Sequence, residues 1–156
     1  MKNSTSLILL ILALFSLAFI ACEDKEDKQA EIDRKKILDY IAENELDAEE
    51  TASGLFYVIE NPGTGEHPTQ YSTVTVRYTG YYLDGVVFDT NEGGQASPFN
   101  LQGVIHGWKE GIPLFRTGGI GKLLVPSRLA YGANSAYRGI PNNSVLIFDI
   151  RLVEFY

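Results

Sequence analysis

The chain has 156 residues, with 20 Asp and Glu against 13 Lys and Arg and a formal net charge of −7 at pH 7. This balance argues against a nucleic-acid partner, which would require a basic face to neutralise phosphates, and the acidity reads as solubility. Its single cysteine excludes an internal disulfide framework, and two histidines leave no metal cluster and call for no cofactor.

Met1-Lys2 precedes an apolar run from Leu7 to Ala21, broken only by Ser16, which ends at Phe19-Ile-Ala-Cys22 and passes at once into Glu-Asp-Lys-Glu-Asp-Lys. That is the layout of a signal peptide, and the run falls short of the roughly 18 apolar residues of a membrane span. Residues 1–21 are therefore expected to be removed. The cysteine at the end of the run resembles that of bacterial lipoprotein signals, with small Ala21 before it and Phe19 departing from the usual Leu. The resemblance implies that Cys22 is lipidated and that the protein sits in the bacterial cell envelope, held to a membrane through the lipid anchor.

Residues 23–30 are nearly all charged or polar and read as a solvated tether. From Glu31 to about Leu46, Ile32, Ile37, Leu38, Ile41 and Ala42 approximate helical spacing among Asp33, Arg34, Lys35, Lys36, Asp39 and Glu43, which predicts a short amphipathic helix. Such a helix is either a partner-binding or dimerising arm or an element resting loosely on the domain's own surface. Residues 22–52 are accordingly taken as lipidated tether and short helix, and 53–156 as the folded domain, of a size that buries a core without disulfides.

Beyond Ser53-Gly54 the periodicity becomes that of strands. Leu55 to Ile59 form a first candidate, followed by the turn-rich Asn61-Pro-Gly-Thr-Gly65 and a loop through Pro68. Val74, Val76, Tyr78 and Gly80 alternate with Thr73, Thr75, Arg77 and Thr79 at period two, and Asp84-Gly85 closes a hairpin turn. Phe99 and Leu101 start another short strand, Lys122 to Val125 form a further one, and Leu146, Phe148, Ile150 and Leu152 share a face of the last. Trp108, Ile112 and Phe115 fall at i, i+4 and i+7 of a helix that Pro113 ends or tightens. A mostly antiparallel sheet covered on its apolar face by one short helix is an α+β fold. Gly118-Gly-Ile-Gly-Lys122 lacks the upstream glycine and the following Ser or Thr of a phosphate loop, and reads as a turn into a strand. No Ser/His/Asp spacing argues for hydrolysis.

The run Val74 to Asp89, Val104-Ile-His-Gly-Trp-Lys-Glu-Gly111 and Leu129-Ala-Tyr-Gly132 place aromatics around one apolar site. With these motifs in this order, the chain from about Leu55 to Tyr156 resembles the FKBP-type peptidyl-prolyl cis-trans isomerases. The resemblance implies a curved antiparallel sheet wrapped around a short helix, with the binding slot between them. It implies Trp108 at the floor of the slot, with Tyr78, Phe88, Val104, Ile105, Tyr131 and Phe148 around it. Asp89 becomes the polar member, accepting a hydrogen bond from a group such as Tyr78. The Ile105 N–H and Tyr131 hydroxyl become donors to substrate carbonyls, and Ile140 borders the slot from the loop after Gly132. Tyr78, Asp89 and Tyr131 are thus the expected catalytic residues.

Taken singly, Tyr78, Phe88 and Phe148 are core residues of any β protein, Asp89 is a strand-end carboxylate, and His106 is an exposed residue of no catalytic consequence. Their joint pattern carries the functional reading. Phe99 admits two placements, toward the ligand or into the core away from it. Asn142 stands where a second proline is frequent in the family, and Tyr137 lies in a segment that contacts substrate in relatives, which bears on the preference for the residue before proline and on macrolide binding. The expected function is isomerisation of X-Pro bonds in unfolded or exported polypeptides, with macrolides as further ligands. Its rivals are a non-enzymatic chaperone or assembly module that holds proline-containing segments, and a structural lipoprotein in which Asp89 and Tyr131 would have no purpose.

Overall fold

The computed structural model describes residues 27–94, 96, 98–134 and 139–156. The expected signal peptide, Cys22 and Tyr137 lie outside them. Helix α1 covers residues 27–43. Strands β1 (Glu49–Glu50), β2 (Phe56–Asn61), β3 (Thr73–Tyr81), β4 (Val87–Thr90) and β5 (Pro98–Asn100) follow, then helix α2 (His106–Gly111) and strands β6 (Ile120–Val125) and β7 (Leu146–Phe155). They form one seven-stranded sheet in the order β1-β2-β6-β7-β3-β4, with β5 also paired to β3 and every pairing antiparallel. This is the α+β architecture expected from the sequence.

Alternation along the strands builds two apolar faces. On β3, Val74, Val76 and Tyr78 turn to the inner face, where Leu146, Phe148, Ile150 and Leu152 of β7 and Leu123 and Val125 of β6 join them. The residues between point the other way: Phe56, Leu124 and Ile147 form an outer cluster with Val145 and Ile37. Ile37 belongs to α1 and is fully buried, and from Asp33 onward the chain forms one compact unit. Burying such a side chain contributes about 1.5–3 kcal/mol. The helix is thus a lid on the outer face, with Tyr40 and Ile41 packed beside Ile37.

Helix α2 closes the inner face and carries Trp108. It lies close against β6 because two of its glycines face that strand: a Cβ at Gly107 would stand 2.5 Å from Val125 Cγ1, and one at Gly111 2.6 Å from Leu123 Cδ1. The α-helix ends at Gly111 and tightens into a 3-10 turn, Ile112–Leu114, around Pro113. Proline offers no N–H and crowds the preceding turn, so the expected break falls there. Ile112 and Phe115 are fully buried beyond it.

Leu101 departs from expectation. Strand β5 stops at Asn100, whose side-chain oxygen accepts from the Gln102 N–H and opens a 3-10 turn, Leu101–Gly103. A short polar side chain that bonds the backbone locally competes with the strand ladder, and here it wins. Leu101 still reaches the inner core, from the turn rather than from a strand.

Candidate functional site: an aromatic slot

A cavity of about 440 Å³ lies between the inner face of the sheet and α2. Trp108 is buried at 4 % exposure, and three rings meet it edge to face: Tyr78 at 4.9 Å and 85°, Phe148 at 5.4 Å and 78°, and Phe99 at 5.7 Å and 82°. Phe88 stands edge-on to Phe148 at 5.7 Å and tilted against Tyr82 at 5.2 Å. Edge-to-face pairs are the favoured arrangement of aromatic quadrupoles, and each holds its partners at a fixed angle. The rings therefore frame a space that they do not collapse into.

Gly80 makes room for this wall. It faces Asp89 across β3–β4 and Phe148 across β3–β7, and a Cβ there would lie 2.7 Å from Phe88 Cζ and 3.0 Å from Phe148 Cε1. A larger residue there would force the Phe88 ring to shift against Phe148.

Among the described residues, one carboxylate lines the cavity. Asp89, on β4, accepts a hydrogen bond from the Tyr78 hydroxyl at 2.8 Å, which fixes both side chains at the slot's edge. The strand end that carries Asp89 is itself secured. Asn91 docks its side-chain amide on β3, accepting from the Tyr78 N–H and donating to the Val76 carbonyl. The Arg77 guanidinium, on the polar face of β3, donates to the carbonyls of Asn91, Glu92 and Gly94. An amide that mimics a ladder partner and a guanidinium that gathers three carbonyls hold the loop leading toward Phe99.

The remaining wall comes from the approach to α2 and from the turn after β6. Gly103, Val104 and Ile105 line the cavity, and Ile105 caps α2 with extended backbone angles. The first N–H groups of a helix have no partner within it, and Ile105 stands at this end. Tyr131, half-buried, lines the opposite side. Phe99 turns toward the cavity, which decides between its two placements. Ile140, at 6 % exposure, packs into the inner core cluster to which the slot's rings also belong. His106 is exposed.

Sequence reasoning missed Gly80 as a spacer, Gly103 as lining, and Asn91 and Arg77 as braces. The only signal for the last two was position: an Asn two residues past Asp89, a type that bonds the backbone readily, and an Arg on the exposed register of β3.

Among the described residues, the lining holds no nucleophile paired with a base. Among the described residues it offers apolar area in an aromatic frame and one oriented carboxylate. Such a site suits a reaction in which no bond to the protein forms.

Residues 64–153 match the family model for FKBP-type peptidyl-prolyl cis-trans isomerase. The chain is 42% identical over 132 residues to the FKBP-type peptidyl-prolyl cis-trans isomerase FkpA of Aeromonas hydrophila, an alignment covering 83% of this chain and 49% of that protein. It thus spans about half the length of the relatives it matches in sequence. The crystal structure of FkpA from Escherichia coli superposes with a TM-score of 0.71 at 32% identity, covering 98% of this chain and 73% of that one. A peptidyl-prolyl cis-trans isomerase from Pseudomonas syringae superposes with a TM-score of 0.72 at 32% identity, covering 83% and 94%. The fold, the ordered motifs and these matches agree: the chain belongs to the FKBP-type peptidyl-prolyl cis-trans isomerase family.

Proposed function

We propose that this protein catalyses cis-trans rotation about X-Pro bonds in exported polypeptides, from a lipid anchor in the bacterial cell envelope. The observation that carries the catalytic reading is the Tyr78–Asp89 hydrogen bond at the edge of a slot floored by Trp108. Rotation about an X-Pro bond faces a barrier of roughly 18–20 kcal/mol and takes tens to hundreds of seconds unaided. In the twisted transition state conjugation is lost, the carbonyl becomes less polar and the imide nitrogen becomes more like an amine. A dry aromatic slot favours that form over the planar one, and each 1.4 kcal/mol or so of preference gives about tenfold in rate.

In this reading the proline ring lies on Trp108, with Phe88, Phe99, Val104 and Phe148 around it. The Ile105 N–H and the Tyr131 hydroxyl donate to substrate carbonyls. Asp89, oriented by Tyr78, faces the rotating bond. Ile140 borders the slot from the loop after Gly132. Macrolides that present a proline-like ring beside carbonyls are proposed as ligands of the same slot.

The anchor rests on the apolar run ending at Cys22. A mature protein acylated there fractionates with membranes, and Cys22→Ser releases it or blocks its processing. An unmodified mature N-terminus found elsewhere by mass spectrometry contradicts the anchor. The catalytic reading is tested by turnover of a panel of X-Pro peptides. A folded protein with neither turnover nor macrolide binding contradicts it, whereas binding without turnover that is insensitive to Asp89 substitution points to a chaperone module.

A further inference from the structure

The turn that delivers Tyr131 to the slot is capped from a distance. It begins as the 3-10 turn Ser127–Leu129, and Pro126, which stands at its cap position, provides no side-chain bond to it. By contrast, Asn100 caps the turn at Leu101–Gly103 from within its own segment. The missing cap is supplied by Asp33 of α1, whose Oδ2 accepts from the Ser127 N–H at 2.8 Å and from the Ser127 hydroxyl at 2.5 Å. Asp33 is 0 % exposed and Ser127 is 1 % exposed. A carboxylate that accepts two bonds in a site closed to water is a stronger tether than a neutral cap.

The same turn is tied on its other side. Arg128 donates to the Ser53 carbonyl, and the Ser53 hydroxyl donates to the Glu110 carboxylate on α2, two residues from Trp108. The segment from Ser127 to Tyr131 is thus suspended between α1 and the helix that floors the slot. Both Asp33 and Ser53 precede the residues that match the family model.

Resting on the isomerase reading, we infer that α1 is a positioning element of the slot. Asp33, acting through Ser127, sets the place of the Tyr131 hydroxyl, so residues ahead of the family segment govern how well that hydroxyl meets the substrate. Removing the carboxylate frees the first N–H of the turn and lets the segment carrying Tyr131 drift.

The test measures X-Pro peptide turnover and amide hydrogen exchange on the full chain, on Asp33→Ala and Asp33→Asn, and on each combined with Tyr131→Phe. Asp33→Ala, folded by circular dichroism, is expected to lose about threefold to fivefold in kcat/KM, no more than Tyr131→Phe itself, because it acts through that hydroxyl. Asp33→Asn keeps an acceptor oxygen and recovers most of that loss. In the Tyr131→Phe background the Asp33→Ala loss shrinks to less than about twofold, because the group it positions is gone. Amides from Ser127 to Tyr131 exchange faster in Asp33→Ala. If that variant does not fold, Ser127→Ala, which removes only the hydroxyl bond, enters the same cycle. Unchanged kcat/KM in Asp33→Ala, or a loss that multiplies in full with Tyr131→Phe, overturns the inference. Absence of turnover by the unsubstituted chain counts against the isomerase reading alone; hydrogen exchange then decides, and unchanged protection from Ser127 to Tyr131 in Asp33→Ala overturns the positioning role.

Discussion

The inner and outer faces of the sheet are made by the same strands and serve opposite ends. On the outer face the fully buried Ile37, Leu124 and Ile147 pack together under α1. On the inner face, rings at 4.9 to 5.7 Å meet Trp108 edge-on and leave a cavity of about 440 Å³ beside it. Aliphatic side chains interdigitate until little space remains, whereas rings locked at right angles hold an opening at some cost in packing. The larger buried cluster lies on the inner face beside the slot, whereas the smaller cluster on the outer face serves packing.

Changes in the outer aliphatic cluster that leave the Asp33–Ser127 bond intact should cost stability and spare turnover, with the reverse for the slot. The largest energetic effect is expected from Ile147→Ala: a loss of about 2–5 kcal/mol in denaturant unfolding, with kcat/KM of the folded fraction unchanged. A fall in kcat/KM would show that the faces are mechanically coupled through β7. Trp108→Leu should do the converse, weakening proline-peptide binding about tenfold as the ring contacts are lost, while costing less stability than Ile147→Ala. Calorimetric titration and an unfolding curve on the same sample check both halves. Tyr131→Phe is milder: it removes one hydrogen bond, net on the order of 1 kcal/mol, and should appear in kcat/KM rather than in stability.

The smallest effect concerns pH and belongs to the outer face alone. Burial, then the Asp149 carboxylate and Tyr40, raises the Tyr81 phenol above the usual tyrosine range. Its hydroxyl donates to Asp149 Oδ1 at 3.0 Å, beside the Lys122–Asp149 ion pair. Because the unfolded chain gives up this proton first, the stabilisation is complete below about pH 10 and declines as pH rises beyond it. Urea midpoints across that range should fall less steeply in Tyr81→Phe, and an identical slope would remove Tyr81 from the account.

The sequence made the repeating parts legible. Period two on β3 and β7 names one buried face, because a regular element repeats its environment, and Trp108, Ile112 and Phe115 are all buried although the α-helix ends at Gly111. What escaped depends on single polar contacts. Asn100 ends β5 one residue before Leu101 by bonding the Gln102 N–H, and Glu49–Glu50 pair with β2 without any apolar pattern. The bond from Asp33 to Ser127 spans 94 residues and leaves no local trace. Among slot residues, the aromatics announced themselves by type, and the Tyr78–Asp89 contact was implied by family resemblance alone. Its geometry follows from the register that sets Gly80 opposite Asp89, which no spacing rule provides.

The central claim is that the slot accelerates X-Pro rotation and that Asp89 acts in it rather than in the fold. Exchange NMR on an X-Pro peptide, with unsubstituted chain and Asp89→Ala at matched folded concentration, tests it most directly. The account predicts cis-trans exchange accelerated by the unsubstituted chain, and acceleration reduced about tenfold or more in Asp89→Ala with a near-native unfolding curve, as expected for an orienting group. Equal acceleration by both proteins, or a loss that only tracks unfolding, would contradict it.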